Sequence, residues 1–346
     1  MQITKRRRFI GCATTTWLAL AILLATVSNS LADIAVKEGQ KIGFMGDSIT
    51  AGGWSNPGGY VRLVIAGLEA NGIKATPAPA GVSGNKSNQM LERLKRDVLD
   101  KKPDWMTLSC GVNDVWHGVK GVPLDQYKTN ITTIIEQCQA ANVKVVILTA
   151  TVIGEEVDND NNKKLASYNE FLRELAKAKK CPLADLNALF QEAIKAHPNS
   201  TGKPGRLLTS DGVHMNSAGD QLMAQGVLQA MGCDAAQIQK AQAAWLDMPG
   251  GGTVKARFDA GKGQRLEVAY PLTLRQREKL QTAVAKESKS LNDLLTAALV
   301  ADVKSLLKPA GEYESAAAIF LAKKEKDVQK LLQEKFNQHV ESLLKN

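Results

Sequence analysis

The chain has 346 residues, 44% of them hydrophobic and 23% charged, which suits a globular protein with a full core and allows one large or two modest domains. Its formal charge of +9 is unevenly placed. Residues 1–32 carry four basic and no acidic side chains, residues 249–346 carry 17 basic and 12 acidic, and residues 33–248 carry 23 of each. A neutral central region implies no basic patch for nucleic acid there, and lysines spread among Glu and Asp near the C-terminus read as a solvated helix face.

Lys5-Arg6-Arg7-Arg8 is a basic start, and Phe9 to Val27 is apolar or small apart from its threonines. Ser30-Leu31-Ala32 then reads as a small-x-small cleavage site before Asp33. Residues 1–32 are therefore expected to be a signal peptide. A retained membrane anchor is the alternative, but the apolar run is short for a span. The protein is then exported, periplasmic or extracellular, without stable membrane insertion after cleavage. Arg6-Arg7-Arg8-Phe9-Ile10 resembles the twin-arginine export signature. Cys12 precedes the hydrophobic stretch instead of following it, which argues against lipidation.

Beyond residue 33, short apolar runs alternate with amphipathic segments. Strands are predicted at 41–45, 74–77, 105–109, 144–149 and 182–185, and helices at 59–70, 87–99, 124–141, 162–179 and 217–231. Ile131, Ile134, Ile135 and Cys138 repeat at the three-four spacing of one buried helix face. Such alternation predicts an α/β fold with a parallel sheet covered on both faces, whose ligands gather at the carboxyl ends of the strands. Near Cys233 the alternation stops. A helix is expected at 235–246, then a break at Pro249-Gly250-Gly251-Gly252. A β-hairpin should follow, from the alternation of Val254, Ala256 and Phe258 with Leu266, Val268 and Tyr270 around 259–263. Helices are then expected at 273–286, 291–307 and 313–344, the last with interruptions.

Cys110, Cys138, Cys181 and Cys233 are too widely spaced for a zinc ribbon or a Cys-x-x-Cys redox site. Export permits disulfides, but the apolar settings suit free buried thiols. If one bridge forms, Cys181 with Cys233 is the expected pair.

The residues that carry chemistry fall after the strands. Ser48 follows the first strand in Gly46-Asp47-Ser48-Ile49-Thr50, Gly84 follows the second in Ser83-Gly84-Asn85-Lys86-Ser87, and Asn113 follows the third in Gly111-Val112-Asn113-Asp114. Asp211-Gly212-Val213-His214 comes last. A serine hydroxyl is a weak nucleophile until a neighbouring base takes its proton, and that base needs a partner to fix it. His214 suits the first task and Asp211 the second. A backbone N–H at Gly84 and the amide of Asn113 offer donors for a tetrahedral oxyanion.

These four blocks, in this order, resemble those of the SGNH, or GDSL-type, esterases and lipases, over about residues 42–231. The resemblance implies a flavodoxin-like three-layer α/β/α sandwich and no metal or other cofactor. It implies Ser48 as nucleophile, Asp211 and His214 as the rest of a triad, and the Ser48 N–H, Gly84 and Asn113 as the oxyanion hole. The expected organisation is a hydrolase domain at 33–234 and a mostly helical C-terminal extension at 235–346, to which the resemblance carries nothing.

Several neighbours have quieter readings. Gly81 is taken to serve the turn after the second strand, and Asp47 and Asp114 to brace loops through hydrogen bonds. Trp54 and Trp116 either stack on a sugar ring or line the sheet edge, and His117 is a rim residue. Asp158-Asn159-Asp160-Asn161-Asn162 is like the start of a calcium loop, but it lacks that motif's glycine and final glutamate and reads as a solvated loop before a helix.

The expected activity is that of an exported serine esterase working through an acyl-enzyme, on short-chain acyl (acetyl) esters of carbohydrate. Its partner would be a small-molecule or polysaccharide ester. Two rivals stand beside it: a lysophospholipase or thioesterase for longer chains, and a non-catalytic carbohydrate-binding or scaffold protein on the same fold.

Overall fold

In the computed structural model, residues 33–197, 207–261, 264–284, 291–307 and 326–345 are described. The expected signal peptide, the hairpin tip at 262–263 and the first part of the last expected helix lie outside the described residues. Five parallel strands form the central sheet: β1 (Lys41–Gly46), β2 (Thr76–Gly81), β3 (Trp105–Ser109), β4 (Lys144–Leu148) and β5 (Leu183–Ala184). Their order, β2-β1-β3-β4-β5, is that of a flavodoxin-like sheet. β1, β3 and β4 are buried almost throughout, as strands covered on both faces must be.

Helices α1 (Ser48–Ser55), α2 (Tyr60–Ala70), α3 (Ser87–Asp97), α4 (Val112–Trp116), α5 (Leu124–Ala140) and α6 (Asp160–Lys179) lie between the strands. After β5 come α7 (Leu186–Ala196), α8 (Ser217–Ala230) and α9 (Ala235–Trp245). α2, α8 and α9 pack together on one side, and α3, α5 and α6 in sequence on the other. The indole of Trp245, fully buried, donates to Leu63 O at 2.7 Å and locks α9 onto α2.

The largest displacement from the sequence prediction is β2, expected at 74–77 and found at 76–81. Pro77 and Pro79 argue against a strand interior, but β2 is an edge strand, where a missing N–H can face outward. The short helices α1 and α4 escaped prediction. α1 contains Gly52 and Gly53 and shows no apolar period, so it depends on the cap at its start, where Ile49 N donates to Asp47 Oδ1 at 2.9 Å. Gly81 is not a turn glycine. A Cβ there would lie 2.3 Å from Ala51 N, so its role is to let β2 and α1 approach.

α9, expected to open the extension, instead packs into the first core through Ile238, Ala241 and Trp245, and a second core begins only after it. The antiparallel hairpin β6 (Pro249–Gly261) and β7 (Gln264–Thr273) is followed by α10 (Leu274–Val284), α11 (Leu291–Leu307) and α12 (Lys326–Lys345). Val254, Ala256, Val268 and Leu272 of the hairpin meet Leu299, Phe336 and Val340 of the helices. On the opposite face Lys255 and Arg257 both pair with Glu267. Several contacts join the two cores among the described residues, Arg275 N donating to Leu246 O at 2.8 Å among them. Leu274 packs into the first core, Arg275 forks onto Asp247 at 2.7 and 3.1 Å, and the backbones of Gly58 and Gly250 touch. A Cβ on Gly58 would sit 2.9 Å from Gly250 Cα.

All four described cysteines are free, so the Cys181–Cys233 bridge does not form. Cys181 faces α5, where Gln139 Nε2 lies 3.9 Å from its sulfur, whereas Cys233 follows the end of α8.

Candidate active site

The carboxyl ends of β1, β2 and β3 bring three of the four blocks to one edge. Ser48 is the first residue of α1, so its N–H has no partner within the helix. It is half-buried, while Asp47 before it is sealed in. The fourth block arrives on the loop 207–216 between α7 and α8. That loop is pinched by a Thr209–Met215 bridge and by Ser210 N donating to His214 O at 2.7 Å.

His214 Nε2 lies 2.8 Å from Ser48 Oγ, and His214 Nδ1 lies 2.6 Å from Asp211 Oδ2. Ser48, His214 and Asp211 are thus linked in one line. Asp211 Oδ1 also accepts from Val213 N at 3.0 Å and His214 N at 2.8 Å, which fixes the carboxylate relative to its own loop. Burial pushes the Asp211 carboxyl up, but the bonds from the His214 ring and the two backbone N–H groups outweigh it and hold the group down at about 2. Asp211 is thereby an anion across the neutral range, suited to steady a charged imidazole.

Gly84 and Asn113 meet through Asn85. Asn113 is buried, and its Nδ2 donates to Asn85 O at 3.1 Å and to Asp47 Oδ2 at 3.2 Å. Gly84 precedes Asn85 with a left-handed φ of +76° and open space where a Cβ would be. His117 does more than sit on a rim. Its Nε2 is 3.2 Å from Asn113 Oδ1, one helical turn away, and orients the amide.

Both bracing aspartates are engaged as the sequence suggested. Asp114 Oδ1 accepts from Ser87 N at 2.9 Å and Ser87 Oγ at 2.6 Å, and Asn130 Nδ2 donates to that hydroxyl at 3.0 Å. Burial raises the Asp114 carboxyl and pushes Asp47 up to about 6. The segment at 158–162 spends its asparagines internally. Asn159 Oδ1 caps α6 at Asn162 N, and Asn162 Oδ1 accepts from Ile153 N.

The two tryptophans part company. Trp54 packs partly against the core and carries the Arg62 guanidinium over its ring at 4.2 Å. Trp116, 46% exposed at the end of α4, presents its ring to solvent beside Asn113 and His117.

Two residues without a sequence signal shape the site from behind. Arg93, buried on α3, donates to Gly46 O at 2.8 Å, Ala80 O at 2.7 Å and Asn85 Oδ1 at 2.6 Å. It therefore ties the ends of β1 and β2 to the loop of Gly84. Glu155, after β4, takes four hydrogen bonds from the loop that carries Asp211 and His214.

A parallel α/β sheet with a hydrogen-bonded Ser–His–Asp line at its carboxyl edge defines the class of serine hydrolases. The model of the GDSL-like Lipase/Acylhydrolase family matches residues 44–222. An acetylxylan esterase of Geobacillus stearothermophilus is 26% identical over 219 residues, covering 57% of this chain and 96% of that protein. The crystal structure of an acetyl xylan esterase, AlAXEase, superposes with a TM-score of 0.52 at 34% identity, covering 55% of this chain and 98% of that one. An uncharacterized lipoprotein of Bacillus subtilis, YqeF, is 26% identical over 171 residues, 43% of this chain and 70% of that protein. The chain belongs to the GDSL-like lipase/acylhydrolase family and is a carboxylic ester hydrolase.

Proposed function

We propose that this protein is an exported serine esterase that removes short acyl groups, acetyl above all, from carbohydrate through an acyl-enzyme. The observation that carries the reading is the 2.8 Å contact between His214 Nε2 and Ser48 Oγ, continued at 2.6 Å to Asp211. As Ser48 Oγ attacks the ester carbonyl, its proton passes to His214, and Asp211 stabilises the imidazolium. The negative charge on the carbonyl oxygen is met by the Ser48 N–H, the Gly84 N–H and the Asn113 amide. Both Asn113 bonds are long, so the amide can turn one hydrogen to the oxyanion. The tetrahedral species collapses, His214 gives its proton to the leaving alcohol, and water then hydrolyses the acyl-serine by the same relay.

The substrate class is supported by relatives described as acetylxylan esterases and by the exposed ring of Trp116, suited to stack on a sugar. Export is supported by the basic, apolar and small-residue pattern of residues 1–32. In the described residues no helix is long and apolar enough to cross a membrane.

The test is turnover of p-nitrophenyl acetate and octanoate, and acetate release from a panel of O-acetylated polysaccharides, by the wild type and Ser48→Ala. Removal of the nucleophile should cost at least about 10³-fold in kcat. Equal turnover by the two proteins refutes the serine mechanism, and faster cleavage of octanoate refutes the short-acyl preference.

A further inference from the structure

We propose that Glu155 is a positioning residue for the catalytic histidine, a carboxylate clamp that sets the loop of Asp211 and His214 against the sheet. The inference rests on the reading of Ser48, His214 and Asp211 as a triad. Glu155 follows the end of β4, and its hydrogen bonds go to Leu207, Leu208 and Thr209 and not to Ser48, Asp211 or His214. Its Oε2 accepts from Leu207 N at 2.7 Å. Its Oε1 accepts from Leu208 N at 2.9 Å, Thr209 N at 2.7 Å and Thr209 Oγ1 at 2.6 Å. Three consecutive backbone N–H groups and one hydroxyl thus converge on one side chain.

The convergence demands an acid. Four donors need a group that only accepts, and an ionised carboxylate forms shorter, stronger bonds to N–H than a neutral amide does. Glutamine would turn its NH₂ toward at least one of those donors. The clamp also reaches further along the loop. Thr209 Oγ1, held by Glu155, accepts from Gly212 N at 3.2 Å, and Gly154 N, adjacent to Glu155, donates to Gly212 O at 2.7 Å. Both sides of the peptide between Asp211 and Val213 are therefore tied to residues 154–155 or to the threonine they grip.

The geometry of catalysis explains why such a clamp is needed. Ser48 and His214 are 166 residues apart and stand on separate elements, so their 2.8 Å contact is set by how the 207–216 loop seats on the sheet. Asp211 moves with His214, since its carboxylate bonds to the loop's own N–H groups. A loop that shifts as a unit keeps the Asp211–His214 pair and loses the Ser48–His214 contact. A displacement of about 1 Å at reacting groups costs about 10²-fold in rate. A side chain that holds the supporting shell of the site can therefore govern kcat without meeting substrate.

The experiment compares full-length wild type, Glu155→Ala, Glu155→Gln and Ser48→Ala on p-nitrophenyl acetate, with urea unfolding followed in parallel. Glu155→Ala is expected to lose about 30- to 100-fold in kcat with KM within twofold. Glu155→Gln, which keeps an acceptor for most of the donors, should recover the larger part of that loss. Glu155→Ala with kcat within twofold of wild type overturns the clamp, as does a rise in KM at unchanged kcat. Should Glu155→Ala fail to fold, Glu155→Gln decides: a more than twofold fall in kcat at constant KM supports the clamp, and wild-type kcat overturns it. Ser48→Ala separates the two levels, since wild-type turnover there removes the triad reading itself.

Discussion

Arg93 offers the sharpest test of how the fold supports the site. Replacing it with methionine keeps an unbranched stem of four heavy atoms and removes every donor. Two of its partners lose little: Gly46 O still accepts from Val82 N at 3.0 Å, and Asp97, whose Oδ2 accepts from Arg93 Nη1 at 3.1 Å, still pairs with Arg96 at 2.6 and 3.0 Å. The loss falls on Ala80 O and Asn85 Oδ1, bonded at 2.7 and 2.6 Å. At about 1.5–3 kcal/mol for each bond from a charged donor, Arg93→Met should destabilise the protein by about 3–6 kcal/mol. Arg93→Lys should fall between, because one ammonium cannot fork across two strand ends and a loop. Urea unfolding at pH 7, read by tryptophan fluorescence, isolates the effect. Of the described tryptophans, Trp54, Trp105 and Trp245 belong to or pack on the first core and Trp116 stands exposed at the end of α4, so none of them lies in the second core. Because Asn85 O in turn holds the Asn113 amide, kcat should fall in the same variants. A loss below about 1 kcal/mol in Arg93→Met would refute the reasoning.

Two further outcomes follow from burial and close packing. Burial pushes the Asp220 carboxyl, whose Oδ1 accepts from Tyr60 N at 2.8 Å, from 3.8 up to about 7. A raised carboxyl keeps its proton in the folded state, so its contribution is complete below about 4 and is lost as pH rises through 7. Asp220→Asn should therefore gain about 2–3 kcal/mol relative to wild type between pH 5 and pH 8 in urea midpoints, and a pH-independent difference would contradict the assignment. Gly58→Ala should cost about 1–3 kcal/mol, because its Cβ meets the backbone of Gly250 and no flexible side chain can yield; an unchanged thermal midpoint would show that the two cores do not touch there.

The fold was legible wherever periodicity or apolar runs were strong. β3 and α11 fall at 105–109 and 291–307 as read from the chain, and α2, α5, α8 and α9 agree within one residue at each end. What failed were elements governed by tertiary context. β2 contains two prolines that only an edge position tolerates, α1 is short and holds two glycines, and α4 has only five residues, so neither helix shows a period. In the site, local motifs announced Ser48, Gly84, Asn113, Asp211 and His214, because each block packs its chemistry into a few adjacent residues. Arg93 and Glu155 gave no such signal. Their partners lie up to 54 residues away, and nothing in a lone arginine on a helix or a glutamate in a loop tells which carbonyls or amides it will find. The thiols misled for the same reason: Cys181 and Cys233 share an expected edge but both are free, Cys181 lying against Gln139 of α5.

The touching backbones of Gly58 and Gly250 set a rule for recombination within this family. Gly58 lies in the turn that joins the helix beginning at Ser48 to α2, so the extension is seated against a turn of the catalytic domain that leaves no room for a side chain. A relative that lacks the extension could receive residues 247–346 as a graft only if its own turn after that helix offers a glycine, or a residue equally without a side chain, for the hairpin to rest on. Any library that varies the turn for substrate range in this protein will also vary how the appendage is mounted.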